Sequence, residues 1–167
     1  AEATGCRTHI VHVAVARGEA HFGSREVPLD EAYALGVHVA DGGAVGPTLR
    51  LLSESPILEA VGPVLERWRC LAGVRDQQHD AEARSKGSRI IGASEPLRRL
   101  FEARYGLEWR ASNSRTVPTA ALEGTRPVVQ AFLRGYFDGD GYCGHFPSAS
   151  TTSAGLADEI HQLLLGL

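Results

Sequence analysis

The chain has 167 residues, 43% of them hydrophobic and 22% charged, which suits one compact domain or two small ones and excludes a disordered tail. Its longest apolar stretches, such as 34–40, fall well short of the roughly 20 residues of a membrane span, and no charged start followed by an apolar run marks a secretory signal. A soluble cytoplasmic protein is expected, with Cys6, Cys70 and Cys143 reduced, because three scattered cysteines offer neither a disulfide framework nor paired zinc spacing. The net charge of -3 hides a split: residues 1–66 carry 4 basic and 9 acidic side chains, 67–115 carry 11 and 6, and 116–167 carry 2 and 5. The middle third is a basic island, the part suited to a polyanion.

In chain order, the first helical signals are Pro28, Asp30 and Glu31, which open a segment ending at Ala40-Asp41-Gly42. A strand is predicted near 44–53, although Gly46-Pro47 interrupts it, since proline supplies no ladder donor and implies an edge or a bulge. Ser53-Glu-Ser-Pro56 introduces an amphipathic run from Ile57 to Trp68. Further strands are expected near 72–80 and 86–92, joined through the turn Ser85-Lys86-Gly87-Ser88, and then a helix from Ser94 to about Arg104. The second half begins with a helix over 126–139, where Thr125 is expected to cap and Pro127 sits in the first turn. A strand region over 142–152 and a helix over 153–166, introduced by Thr152-Ser153, complete the chain.

A repeat links the two halves. Ala32, Gly36 and Ala40 stand at i, i+4 and i+8, and Ala131, Gly135 and Gly139 stand identically 99 residues later, each set running into Asp-Gly. Small residues at that spacing clear one line of a helix of bulk, so two such helices are expected to bring their backbones close together across a pseudo-twofold axis. The aspartates are placed against the negative pole of each helix dipole, at a cost of a few tenths to about 1 kcal/mol. Glycine is the ordinary cap there, so a carboxylate needs a reason. Two of them brought together make a concentrated negative site that a divalent cation neutralises, which singles out Asp41 and Asp140 as a metal pair.

These residues resemble the LAGLIDADG homing endonucleases, in particular the dodecapeptide (DOD) type found within inteins. The resemblance is carried by Phe132-Leu-Arg-Gly-Tyr-Phe-Asp-Gly-Asp-Gly-Tyr142, by Leu29-Asp-Glu-Ala-Tyr-Ala-Leu-Gly36 leading to Ala40-Asp41-Gly42, and by Arg115-Thr-Val-Pro118, which is similar to the family's Lys-x-Ile-Pro block. It covers roughly residues 27–167. It implies an α/β (α+β) fold of two αββαββα repeats packed through the two motif helices, a pseudo-dimer within one chain, with saddle-shaped sheets along the DNA major groove. It further implies Mg²⁺ between Asp41 and Asp140, a supporting basic residue at Arg115, and double-stranded DNA as partner. Arg75, Gln77, Gln78, Arg84, Lys86 and Arg89, on the expected DNA-facing strands, are assigned to phosphates and base edges. The helix interface is assigned to Ala32, Gly36, Ala40, Ala131, Gly135 and Gly139.

The domains read as 27–117 for the first half and 118–167 for the second. By the 99-residue offset nothing in the second half answers to 69–115, so it is expected to be incomplete. Residues 1–26, with Glu2-Ala-Thr4 and His12-Val-Ala-Val-Ala-Arg17, resemble the edge of an intein splicing domain, which implies a host protein (the extein) as partner. Departures from the pattern are Val39, where the family has an acid that Asp138 retains in the second copy, His38, expected as a half-buried helix residue, and Arg115, whose guanidinium is a poor proton acceptor where lysine serves more flexibly. Asp138-Gly-Asp-Gly-Tyr142 is no calcium loop, since Cys143 falls on the required glycine and Ala149 on the bidentate glutamate. His9 with His12, and Cys143 with His145, lack a second ligand pair for zinc. The expected activity is Mg²⁺-dependent hydrolysis of both strands of a long DNA site, an inteinless allele; the alternative is a degenerate domain that binds DNA as a module or regulator, or an inert insert.

Overall fold

The computed structural model describes residues 22–41, 43–44, 48–52, 55–73, 88–92, 95–143 and 147–167. Among them the fold is α+β: helices α1 (Leu29–Asp41), α2 (Ser55–Leu71), α3 (Glu95–Tyr105), α4 (Thr119–Leu122), α5 (Arg126–Asp140) and α6 (Ala154–Leu165), with strands β1 (Gly43–Ala44), β2 (Thr48–Leu52), β3 (Ser88–Gly92), β4 (Gly141–Cys143) and β5 (Pro147–Ala149). The strands form two antiparallel sheets, β1-β2-β3 and β4-β5. No helix among the described residues is long and apolar enough to cross a membrane.

Two helices organise the core. From Glu31 to Val39 every residue of α1 except Tyr33 is buried, and α5 buries Val128, Val129, Phe132, Leu133, Gly135 and Tyr136. They run parallel and touch backbone to backbone. A methyl added at Gly36 would collide with the Phe132 carbonyl oxygen, and one added at Gly135 would collide with the Tyr33 carbonyl oxygen. These contacts are reciprocal under the 99-residue offset, which maps Gly36 onto Gly135 and Tyr33 onto Phe132. Nearer the helix ends, a methyl at Gly139 would lie 2.8 Å from the Ala40 Cβ. Glycine is required at 36 and 135 by the close approach of the neighbouring backbone.

A second cluster packs α2 and α3 against α1. The Trp68 ring meets Phe101 edge-on at 4.7 Å and Tyr105 at 5.8 Å, and all three are fully buried. This cluster encloses the Glu31 carboxylate, 1% exposed, which accepts from the Tyr105 hydroxyl at 2.6 Å and pairs with Arg104 at 3.0 Å and Arg67 at 3.2 Å. Trp68 Nε1 donates to the same tyrosine oxygen at 2.7 Å. A buried carboxylate is tolerated only when paired and hydrogen-bonded, and here both conditions hold. Burial and the adjoining Glu31 push the Tyr105 hydroxyl far above its usual range. Tyr105→Phe leaves the Trp68 N–H and one Glu31 lone pair without their partner, so denaturant titration should show about 2 kcal/mol lost. Past Tyr105 the helix ends on Gly106 at φ +62°, with Gly106 N–H bonded to Glu102 O and Leu107 N–H to Phe101 O; this paired closure needs a left-handed residue.

Several expectations are corrected. The predicted strand at 44–53 is a hairpin of β1 and β2, and Gly46-Pro47, between them, lies outside the described residues. Its register places Ala44 opposite Leu49, whereas in the second hairpin Cys143 lies opposite Pro147. The offset would put Ser148 there, so the hairpins differ by one residue, a slip that exchanges the two faces of a strand. The strand foreseen at 72–80 begins instead as the tail of α2, with Ala72 and Gly73 in a turn; 74–80 and the turn at 85–87 lie outside the described residues. Thr125 occupies the N-cap of α5 without a side-chain bond; its N–H is held by the Arg25 carbonyl at 3.1 Å instead. His38 is buried, not half-buried.

Candidate functional site

Because α1 and α5 run parallel, their C-terminal ends lie side by side. Both carry aspartate there for the same local reason, the Asp-Gly that follows each small-residue stripe. A cleft of about 480 Å³ opens at this end, lined by Val39, Ala40, Ser112, Arg115, Tyr136, Asp140, Ser150, Thr151, Thr152 and Leu156. Partial burial pushes the Asp140 carboxyl up, against the opposing pull of the Arg115 charge. Asp41 ends α1 one residue beyond Ala40; its side chain lies outside the description.

Arg115 reaches the site from the extended stretch after a short 3-10 turn at Ser112–Ser114. Its Nη1 donates to Val39 O at 2.9 Å and to Ala40 O at 3.3 Å, so the guanidinium sits on the last carbonyls of α1. A permanent cation there offsets the negative end of the helix dipole and the charge of Asp140. The stretch is fastened from α6: Ser153 Oγ donates to Arg115 O at 2.7 Å, and Glu159 accepts from the Val117 N–H at 2.6 Å.

The six expected interface residues fall on α1 and α5, with Gly36, Gly135, Gly139 and Ala40 in the closest approach, Ala32 buried and Ala131 partly buried against the core. Asp140 and Arg115 share one cleft. Of the residues assigned to DNA, Arg75, Gln77, Gln78, Arg84 and Lys86 lie outside the described residues, and Arg89 is described only as backbone of β3, opposite Leu51. Much of the remaining basic island is engaged in ion pairs: Arg67 with Asp30 and Glu31, Arg69 with Glu66, Arg98 and Arg99 with Glu95, Arg104 with Glu31, and Arg110 with Glu108. The island's excess charge therefore overstates what its described arginines offer a polyanion.

The sequence signals neither Glu31 nor Glu159 as a partner: Glu31 reads only as a first-turn acid and Glu159 carries no local signal. Ser153 reads as a helix start and does cap α6, accepting from Leu156 N–H at 3.3 Å.

Among the described residues no group of three or more His, Cys, Asp or Glu side chains converges as a metal centre. The cleft nevertheless has the donor chemistry of a hard cation. Asp140 is a carboxylate that burial makes costly to ionise, and the neighbouring Ser and Thr hydroxyls are oxygen donors. Magnesium binds through one or two carboxylates and keeps several waters, so an all-protein cage is not needed.

Residues 127–167 match the family model described as a LAGLIDADG-like domain. The matched stretch takes in nearly all of α5, then β4, β5 and α6. No curated protein matches the chain.

Proposed function

We propose that the chain is the DNA-cleaving domain of a DOD-type LAGLIDADG homing endonuclease, built as two pseudo-twofold halves, 27–117 and 118–167, and acting in the cytoplasm as part of an intein within a host protein. The observation that carries this reading is the reciprocal packing of α1 and α5 on Gly36 and Gly135, which brings Ala40, the residue before Asp41, to the cleft that holds Asp140 and Arg115. The family match over 127–167 supports it from the second copy.

Asp41 and Asp140 would hold Mg²⁺. The ion, when bound, activates water and offsets charge on the phosphoryl and leaving oxygens. Arg115 stabilises the phosphate charge as a fixed cation and does not accept the proton, since its guanidinium stays protonated. Tyr136 and Leu156 form part of the cleft wall. Arg75, Gln77, Gln78, Arg84, Lys86 and Arg89 are the proposed contacts to double-stranded DNA.

The test is cleavage of DNA containing the uninterrupted insertion site, with and without Mg²⁺, by the wild-type chain and by Asp140→Asn. Any cutting by the wild type, expected to be weak, should fall on both strands and need the metal, and Asp140→Asn should bind with unchanged affinity and cut at least ~100-fold more slowly, the scale on which losing a key charge-stabilising group acts. DNA binding by the wild type with no metal-dependent cleavage would give the alternative, a binding module or regulator. Cleavage that survives Asp140→Asn would place the chemistry elsewhere.

A further inference from the structure

Arg115 belongs to neither motif helix, yet its guanidinium lies on the end of α1. The N-cap residue of α6 and one side chain within it grip the backbone on either side of Thr116. Ser153 Oγ donates to the Arg115 carbonyl at 2.7 Å, and the Glu159 carboxylate accepts from the Val117 N–H at 2.6 Å. Pro118 follows at φ -59°, so the stretch is stiff at its far end as well. Ser153 is 2% exposed, and its single hydroxyl serves both partners, capping α6 through Leu156 N–H while giving its proton to Arg115 O. By the 99-residue offset, Glu54 and Ala60 stand at the positions of Ser153 and Glu159.

We infer that Ser153 and Glu159 are positioning residues for Arg115, through which α6 fixes the guanidinium on the Val39 and Ala40 carbonyls at the mouth of the cleft. The inference deepens the function proposed above and rests on it for its catalytic meaning; its geometry does not depend on DNA. With the backbone pinned at residues 115 and 117, the Arg115 side chain has one short path to α1. Released at either point, the carbonyl of 115 or the amide of 117 turns to water and the guanidinium loses its fixed origin.

The experiment is solution NMR of the Arg115 guanidinium protons in the full chain without DNA, alongside thermal unfolding. Ser153→Ala and Glu159→Ala should each speed exchange of those protons about tenfold, the factor that corresponds to losing one hydrogen bond's restraint. Ser153→Thr keeps the hydroxyl and Glu159→Gln keeps an acceptor, so both should restore slow exchange. Ser153→Asp separates positioning from simple helix stability. Aspartate caps a helix well but has no proton for the Arg115 carbonyl, so it should restore the melting temperature and leave exchange fast. Slow exchange retained in both alanine variants, or restored by Ser153→Asp, overturns the inference. Should Ser153→Ala not fold, Glu159→Ala, which leaves the cap intact, decides alone. In the cleavage assay the same alanine variants should lower kcat with DNA affinity unchanged. The cleavage result bears on the nuclease reading, while the exchange result stands by itself.

Discussion

Gly135→Ala should lower the unfolding free energy by roughly 3 kcal/mol, at the upper end of overpacking costs, and Gly36→Ala should match it. The added methyl in each case meets a backbone carbonyl of the partner helix, Tyr33 O or Phe132 O. A backbone atom in a central helix cannot swing aside as a side-chain end does, so α1 and α5 must separate along their length. Separation also withdraws the dispersion contacts of Val37, Phe132 and Tyr136, all buried along that seam. The expected loss is a large share of the 5–15 kcal/mol that holds an ordinary domain together. Gly155, in the first turn of α6, is the control. Nothing lies within 4 Å of a methyl placed there, so Gly155→Ala should be neutral or stabilising by up to about 1 kcal/mol, the difference in helix preference. Urea titration of the three variants checks all of this. Equal, small effects at Gly36 and Gly155 would mean that α1 and α5 do not meet as closely as described.

The second large effect concerns acid. His38 is buried between Phe101 and Trp109, with ring centres 6.3 and 6.2 Å away, and neither its Nδ1 nor Trp109 Nε1 has a hydrogen-bond partner among the described residues. Burial, with the nearby Arg115 charge, brings its pKa down to about 3. A histidine whose folded pKa lies below its unfolded value of 6.5 keeps its proton off in the fold, so the unfolded chain binds more protons between those values. Its contribution is therefore complete above pH 6.5 and is lost as the pH falls toward 3. The loss attributable to His38 is about 2 kcal/mol on going from neutral pH to pH 5. Asp30, where burial is outweighed by the Arg67 pair and a backbone hydrogen bond, and Glu95, held low by Arg98 and Arg99, add to acid instability in the same direction, while Asp140, held high by burial, opposes it. His38→Leu isolates the histidine: it should be at least as stable as the wild type at pH 7.5, where it removes an orphaned nitrogen, and about 2 kcal/mol more favoured at pH 5 than at 7.5 relative to it. Parallel stability curves for the two proteins across that range would show that His38 is solvated or paired in solution.

The sequence by itself determined what depends on local spacing. The i, i+4, i+8 stripes place Ala32, Gly36 and Ala40, and again Ala131, Gly135 and Gly139, on one line of a helix, because 3.6 residues per turn leaves no other arrangement. The Asp-Gly pairs mark the ends of those helices, and Ser153 marks the start of another, since caps are satisfied within a single turn. Asp140 stands out through the same repeat, whereas Arg115 stands out only through the likeness of Arg115-Thr-Val-Pro118 to a family block. Only the tertiary structure decided what depends on residues far apart in the chain. Glu31 reads as an ordinary first-turn acid until α2 and α3 close over it with Arg67, Trp68 and Tyr105. Arg115 reads as a departure from lysine until its guanidinium is seen on the carbonyls of Val39 and Ala40, some 75 residues earlier. Glu159 has no local signal because its partner, Val117, lies 42 residues away on a different element. The hairpin registers escape for a related reason: a connection one residue shorter changes which residues face each other without changing the alternation that composition records. Periodicity reports the face a residue occupies, and only packing reports what that face meets.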